Sequence, residues 1–399
     1  PGRHHLYLLN HETGETCLLH RGDASCFSPV PLAPRPVPTV IGGDCPQEKG
    51  EGTFLVYDVY QGLIEQGVQR GQVKSLRIMS QSPKKYNTEG HRYNDHYPIV
   101  GQGSYYVKVN HGEVPVDERG TAYFRAPSNT ELYFIALDEN GKEIQRMGSV
   151  TQITTGEHAS CGGCHENRLS TPPAGTRRPP RMDHPPDSIK PPPWGAGPVN
   201  YVRHVQPILD RHCVRCHEGG KAPKGCDLTA DKTRFYSMSY DSLVFGRHVD
   251  YYYINRGPNG VFPAMSTGSW VSKLTGRIEA GHSKVNLSRD ERRAIYAWID
   301  ANVPYYSTWE MSRPHTIGGR DAYARTKDGQ GGVFADQGAG HRLTEYEPWV
   351  AQYQAFAAKH GLAKISAGGP NGFDERGFIN LTRPANGPVV LAHLAASGG

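Results

Sequence analysis

No stretch of this 399-residue chain approaches the roughly 20 consecutive apolar residues of a membrane-crossing helix, which excludes a protein built on such spans. Charge is scarce as well. Asp, Glu, Lys and Arg make up 21% of the residues and no basic run stands out, so nucleic acid is not an expected partner. Apolar residues reach only 37%, and 47 glycines with 31 prolines take about a fifth of the chain. Yet 22 tyrosines make the composition too aromatic for a disordered polypeptide. A loop-rich chain with so little aliphatic matter needs another source of buried apolar surface. No charged, apolar, small-residue leader follows Pro1, so a mature product or a fragment is expected.

What is present in quantity is cysteine, at positions 17, 26, 45, 161, 164, 213, 216 and 226. Four of the eight fall into two identical patterns: Cys161, Cys164 and His165, then Cys213, Cys216 and His217. C-x-x-C-H is the attachment spacing of c-type haem. Two cysteines three apart reach the two vinyl groups of one porphyrin as thioethers, and the next histidine is held beneath the iron as its proximal ligand. A four-cysteine zinc site would use the same two pairs but gives no reason for a histidine after both. Two covalently attached c-type haems are therefore expected, and each ring would supply the missing apolar surface. Such attachment follows export, which places the chain in the periplasm or outside the cell, on the oxidising side. There Cys17 with Cys26, and Cys45 with Cys226, are the pairs that could form disulfides, although spacing alone does not settle connectivity.

The fold class expected is mixed: a small β-sandwich-like domain followed by a mainly α, loop-rich c-type cytochrome domain. Residues 1–51 read as the proline-rich tail of a preceding region, with a strand at 5–9 and a turn at 10–14. Residues 52–169 carry the sandwich and end in the first motif. Aromatic and β-branched runs at 54–60, 105–109, 123–124 and 132–137 read as strands, with turns at 117–120 and 138–141. Residues 170–199 hold ten prolines and read either as a linker or as a segment packed over a porphyrin through Trp194. Residues 200–306 form the cytochrome domain. There Val205, Ile208 and Leu209 lead into the second motif, and a capping box at Ser288 and Glu291 opens a helix bearing Ala294, Ile295, Trp298 and Ile299 until Pro304 stops it. Residues 307–399 form a Gly-rich extension with amphipathic helices at 345–360 and 389–396.

Each iron takes a sixth ligand or keeps an open position. For the second haem His282 is favoured, then His248, with Met265 as a thioether option that would raise the potential. For the first, His91, His96, His111 and His158 lie near in sequence. The densest cluster runs from Gly90 to His96 and includes Asn94 and Asp95, polar groups able to move protons at an open site.

Residues 114–165 (Val-Pro-Val, Asp-x-x-Gly-x-Ala-Tyr-Phe, Leu-Tyr-Phe-x-Ala-Leu-Asp, Gln-Arg-Met, then Cys-Gly-Gly-Cys-His) resemble the hydrazine synthase alpha subunit and its planctomycete-type relatives. The Val205 to Asp210 run, residues 246–274, 298–306 and 380–384 share the resemblance. It implies the C-terminal part of a longer protein, with a propeller-like region ahead of the tail, a middle domain and a dihaem cytochrome domain. In that family a tyrosine four residues after the first motif histidine is associated with the catalytic haem iron. Here the position is Leu169, which cannot ligate iron and leaves His165 as an ordinary proximal ligand. The expectation is thus a dihaem electron carrier working with redox partner proteins, as a homo-oligomer or as a subunit of a larger complex. The alternative is a haem enzyme acting on a small nitrogen or oxygen compound.

Overall fold

The computed structural model of the chain describes residues 3–30, 32–34, 50–82, 107–164, 178–233, 236–251, 262–308 and 382–387. The chain divides into two compact units, Pro1–Cys45 and Pro46–Gly399. The first holds a two-stranded antiparallel hairpin, β1 (Leu6–Leu9) and β2 (Thr16–His20), closed by a turn in which Gly14 has φ +74°. Tyr7, Leu8, Leu9, Leu18 and Leu19 are all exposed on it. Cys17 and Cys26 are both free thiols, so the short disulfide that their spacing allows is not formed. Each weakly contacts a backbone carbonyl instead, Leu18 for Cys17 and Ala24 for Cys26.

In the second unit the strands are β3 (Glu51–Val56), β4 (Ser75–Ser82), β5 (Val107–Pro115), β6 (Ala122–Pro127), β7 (Leu132–Leu137), β8 (Glu143–Arg146), β9 (His158–Cys161) and the short β10 (Gly197–Pro198). One sheet has five strands in the order β10-β5-β4-β7-β8, and the other has three in the order β6-β3-β9. Their inner faces meet through Phe54, Val56 and Phe124 from one side and Leu76, Ile78, Leu132 and Phe134 from the other. This is the sandwich expected from the strand pattern. The turns form as the sequence indicates: Asp117 and Asp138 cap their own loops through side-chain oxygens, and Gly120 and Gly141 take φ +90° and +84°.

The helices are α1 (Tyr201–His204), α2 (Gln206–His212), α3 (Met238–Val244), α4 (Lys273–Glu279) and α5 (Arg289–Asp300). They do not form a separate body. They pack on the outer face of the five-stranded sheet, against Met79, Val107, Tyr133, Ile135 and Leu137. Strand β7 shows why its six residues are apolar without a break: Leu132, Phe134 and Ala136 face the sandwich, while Tyr133, Ile135 and Leu137 face the helices. The mixed fold is therefore three-layered, with one sheet shared by both halves.

The apolar surface missing from the composition is supplied in this layer by tyrosine. Tyr201, Tyr236, Tyr240, Tyr305 and Trp298 form one interlocked group with ring centroids 4.5–6.1 Å apart. Tilted and edge-to-face pairs of this kind add to the burial of each ring. The capping box predicted at Ser288 and Glu291 is complete, and Ala294, Ile295, Trp298 and Ile299 are buried as expected.

Part of the proline-rich segment is laid against the sandwich. Lys190 bridges to Glu113, Asp187 bridges to Phe124, and β10 pairs with β5. Trp194 packs on the helix-side core, 6.4 Å from the His204 ring. The helices expected at 345–360 and 389–396 lie outside the described residues.

Candidate functional site

The first motif grows out of the sandwich. Strand β9 pairs in parallel with β3, setting Cys161 opposite Val56, and the carbonyls of Cys161 and Gly162 accept from the Tyr57 and Asp58 amides at 3.0 and 3.1 Å. Cys161 and Cys164 then lie half-buried against the sandwich core. The second of the two glycines between them is required by space: a Cβ on Gly163 would come within 2.4 Å of Gln61 Cβ and 2.9 Å of the Asp58 carbonyl oxygen. The motif histidine, His165, lies outside the described residues, as do His91, His96, Asn94 and Asp95. Of the remaining candidates, His158 is exposed on β9. His111 sits on β5 in the other sheet, with Nε2 2.8 Å from Ser80 Oγ, and burial lowers its pKa.

The second motif closes helix α2. Pro207 occupies the first turn, where its missing N–H costs nothing, and Val205, Ile208 and Leu209 are buried. Cys213 caps the helix by donating to the Leu209 carbonyl at 2.8 Å. A tight turn follows, in which the Cys216 and His217 amides both donate to the Cys213 carbonyl at 3.1 Å. His217 Nδ1 lies 2.9 Å from the Cys226 carbonyl oxygen, so Nδ1–H donates there and Nε2 is left as the ring's free lone pair.

Across from it stands His282. The two rings are 6.2 Å apart between centroids and tilted by 49°. Two imidazoles that bind one metal from opposite sides, each by a nitrogen–metal bond of about 2 Å, have centroids about 6 Å apart. The residues present therefore fit a porphyrin iron between His217 and His282, with Cys213 and Cys216 one turn ahead for the thioethers.

The other candidates are disposed differently. His248 is half-buried, and its Nδ1 receives a hydrogen bond from Arg277 Nη1 at 3.2 Å. Burial, then the charges of Arg277, Lys273 and His217, hold its pKa below the ordinary value. Met265 is not at this site. It packs on the sandwich core, with its sulfur 3.2 Å from Gln72 Nε2, because the 262–265 segment is pinned there by Gln66 and Gln145. The thioether option expected at the second motif is not realised by this placement.

The zinc alternative is not formed either. Cys161 and Cys164 pack on one core and Cys213 on the other, and among the described residues no three His, Cys, Asp or Glu side chains gather as a metal cage. Burial, then the neighbouring Cys226 and Cys216, push the Cys213 thiol up to about 11, so it is held protonated at neutral pH. Cys226 is a free thiol, and Cys45 lies outside the described residues.

Two further elements had no signal in the cysteine spacing. One is the Cys226 carbonyl that orients His217, since a backbone acceptor leaves no mark in a sequence. The other is a strap from far downstream. Arg383 pairs with Glu218, the residue after His217, and its Nε donates to Asp231 Oδ2 at 2.7 Å. Thr382 Oγ1 accepts from the Lys232 amide at 2.9 Å, and Asn386 lies against Gly219, which takes φ +49°. Replacing Arg383 by Gln removes the cation shared by half-buried Glu218 and buried Asp231. The expected cost is about 1 kcal/mol, with faster amide hydrogen exchange at residues 218–221, while Arg383→Lys restores part of the protection. Unchanged exchange in Arg383→Gln would show that the strap does not hold the loop.

Residues 71–166 match the family described as the hydrazine synthase alpha subunit middle domain. The chain is 28% identical over 127 residues to hydrazine synthase subunit alpha of Kuenenia stuttgartiensis, an alignment taking in 27% of this chain and 15% of that protein. The solved Kuenenia stuttgartiensis hydrazine synthase overlaps at a TM-score of 0.44 and 18% identity, over 65% of this chain and 43% of the other.

Proposed function

We propose that this chain, a relative of the hydrazine synthase alpha subunit, belongs to a haem-dependent oxidoreductase that acts on a small nitrogen or oxygen compound. One observation carries the reading: the matched stretch, residues 71–166, runs through Cys161, Cys164 and His165, so the first motif lies inside the region shared with that enzyme subunit.

In this proposal two c-type haems are attached, one at Cys161 and Cys164 and one at Cys213 and Cys216. The haems supply the one-electron chemistry, and the chain supplies their ligands and surroundings. The two sites differ in role. At the second, His217, oriented by the Cys226 carbonyl, and His282, whose ring lies 6.2 Å away, would be the two histidines to hold the haem, which would then suit electron relay. At the first, Gly163 lets the motif lie flat on residues 58–61, and the open position is left to the substrate. The protein acts outside the cytoplasm, as a subunit of a larger complex that exchanges electrons with redox partners.

Leu169 favours a second reading, in which both irons are fully ligated and the chain only carries electrons. Optical and electron paramagnetic resonance spectra, taken with and without carbon monoxide, separate the two. The enzyme reading expects two haems per chain, one low-spin and inert and one that binds the gas. Carbon monoxide bound at neither haem would leave only the carrier. In His282→Ala the second haem should lose its low-spin signal and bind the gas as well. If that variant keeps the wild-type spectrum, His282 is not a ligand.

A further inference from the structure

The structure carries an unusual distribution of unpaired charge around the second motif. Arg215, Lys221 and Lys224 lie on the motif and the two short turns that follow it, and all three are exposed. Lys273 and Arg277 are exposed on α4, and Lys284 on the turn that begins with His282. The proximity of the His217 and His282 rings draws these loops together. The charges of Arg277 and Lys273 bear on His248 alongside that of His217, and Arg277 bears on Cys226 as well. Cys216 is itself exposed, so the site reaches the surface within this patch.

Most of the nearby acids are engaged by other groups, among them Asp210 by Gln206. Glu218 and Asp231 are held by Arg383, Glu291 by Arg211 and His212, and Glu279 by Lys142. Asp227 is buried and turned inward onto the Gly219 and Thr229 amides. Among the described residues, none of the six cations is in an ion pair. The chain as a whole carries a net charge of only +5, so this is a local concentration of charge rather than a general one.

We propose that this face is the docking surface for an acidic redox protein, which exchanges single electrons with the haem held by His217 and His282. The proposal rests on the reading of the second motif as a haem site. The charge pattern selects the occupant. A second copy of this chain would bring the same cations against them. A lipid surface would call for exposed apolar side chains, and neither α4 nor the loop at 217–226 exposes a large one. A one-signed patch around a redox centre raises the encounter rate with an oppositely charged partner and aligns it for transfer, an effect that salt screens.

The test is stopped-flow reduction of the whole chain by a reduced, acidic plant-type ferredoxin, in which one electron leaves the iron–sulfur cluster and one ferric iron becomes ferrous. Photoreduced deazariboflavin serves as a small neutral reductant for comparison. The wild-type rate with ferredoxin should fall steeply as salt rises. The triple variant Lys221→Glu, Lys224→Glu and Lys284→Glu should be about 10- to 100-fold slower with ferredoxin at low salt, yet unchanged with deazariboflavin. All three positions are exposed, so folding is spared.

Equal ferredoxin rates in the two proteins would overturn the proposal. So would binding to phosphatidylserine–phosphatidylcholine vesicles that is lost in the variant while its ferredoxin rate is unchanged, since the patch would then serve lipid. If deazariboflavin reduces no iron even in the wild type, the haem reading itself has failed, and the flavin control makes that failure recognisable.

Discussion

Trp298→Ala is expected to cost the fold about 3–5 kcal/mol, read as a lower midpoint in urea unfolding. The indole is fully buried in the last turn of α5, its Nε1–H donates to the Pro304 carbonyl at 3.0 Å, and its ring lies 5.0 Å from Tyr201 and 6.1 Å from Tyr240. Removal leaves a cavity among tyrosines that are already fixed by one another and so collapse poorly into it. It also strands the carbonyl that turns the chain after the helix, where Asn302 and Val303 have φ +66° and +48°. Tyr201 begins α1, and α1 leads through α2 into the second motif, so the variant should also show faster amide exchange across Cys213–His217. Trp298→Phe keeps part of the ring and should lose less than half as much stability. A loss below about 1 kcal/mol in the alanine variant would show that the aromatic group is not the keystone of this layer.

The second large effect lies in the interface between the shared sheet and the helices. Arg77 is almost fully buried at the centre of β4. It pairs with Glu113 directly across the ladder at 3.1 Å and approaches Asp300 of α5 at 3.7 Å. Asp300 is fully buried and accepts from the Ser269 amide and hydroxyl at 2.8 and 3.0 Å. Glu143 and Arg146 form a neighbouring pair, and Arg146 also donates to Asn302. Replacing Arg77 by Met strips a buried cation from two carboxylates and should cost about 3–5 kcal/mol at neutral pH.

The sign of the pH dependence follows from Asp300. Burial, then the charge of Glu143, raises its pKa from 3.8 to about 7, against the pull of Arg77. A carboxyl whose pKa is higher in the folded state contributes stability below its unfolded pKa and loses that contribution as pH rises through the folded one. Loss of Arg77 raises it further, so Arg77→Met should be less damaging at pH 5 than at pH 8. Asp300→Asn should flatten the decline in stability between pH 4 and 7. An Arg77→Met penalty equal at both pH values would mean that Asp300 does not sense the guanidinium.

Strand β4 is also where the sequence was hardest to read. Its run from Ser75 to Ser82 contains an arginine, two serines before the last, and a glutamine, which no alternation rule marks as the centre of a sheet. Arg77 is tolerated there because three partners from β5, α5 and the 138–141 turn meet it, and all three come from distant sequence. By contrast β7 was legible, and its unbroken apolar run already implied burial on two faces; what lay on the second face could not be inferred. The helix after Ser288 was legible for a similarly local reason, because its cap, its acidic first turn and its apolar stripe are all within twelve residues.

The candidate sites divide the same way. Cysteine and histidine spacing is covalent neighbourhood, so both C-x-x-C-H motifs are legible directly, whereas the closeness of the His217 and His282 rings depends on the fold. Met265 was misplaced because it is far from the sandwich in sequence and near it only through the bonds of Gln66 and Gln145 to the 262–264 segment.

The sequence by itself determined where two c-x-x-c-h motifs stand, which segments are strands or capped helices, and that aliphatic residues could not fill the core alone. Only the tertiary structure decided that one sheet serves both halves, that tyrosines interlock behind it, that Arg383 reaches back to Glu218, and that the His217 and His282 rings come 6.2 Å apart. The physical reason is range. Spacing, capping and turn chemistry act over a few residues and are written in order along the chain, whereas burial and charge pairing depend on which distant segments the fold brings within a few ångströms.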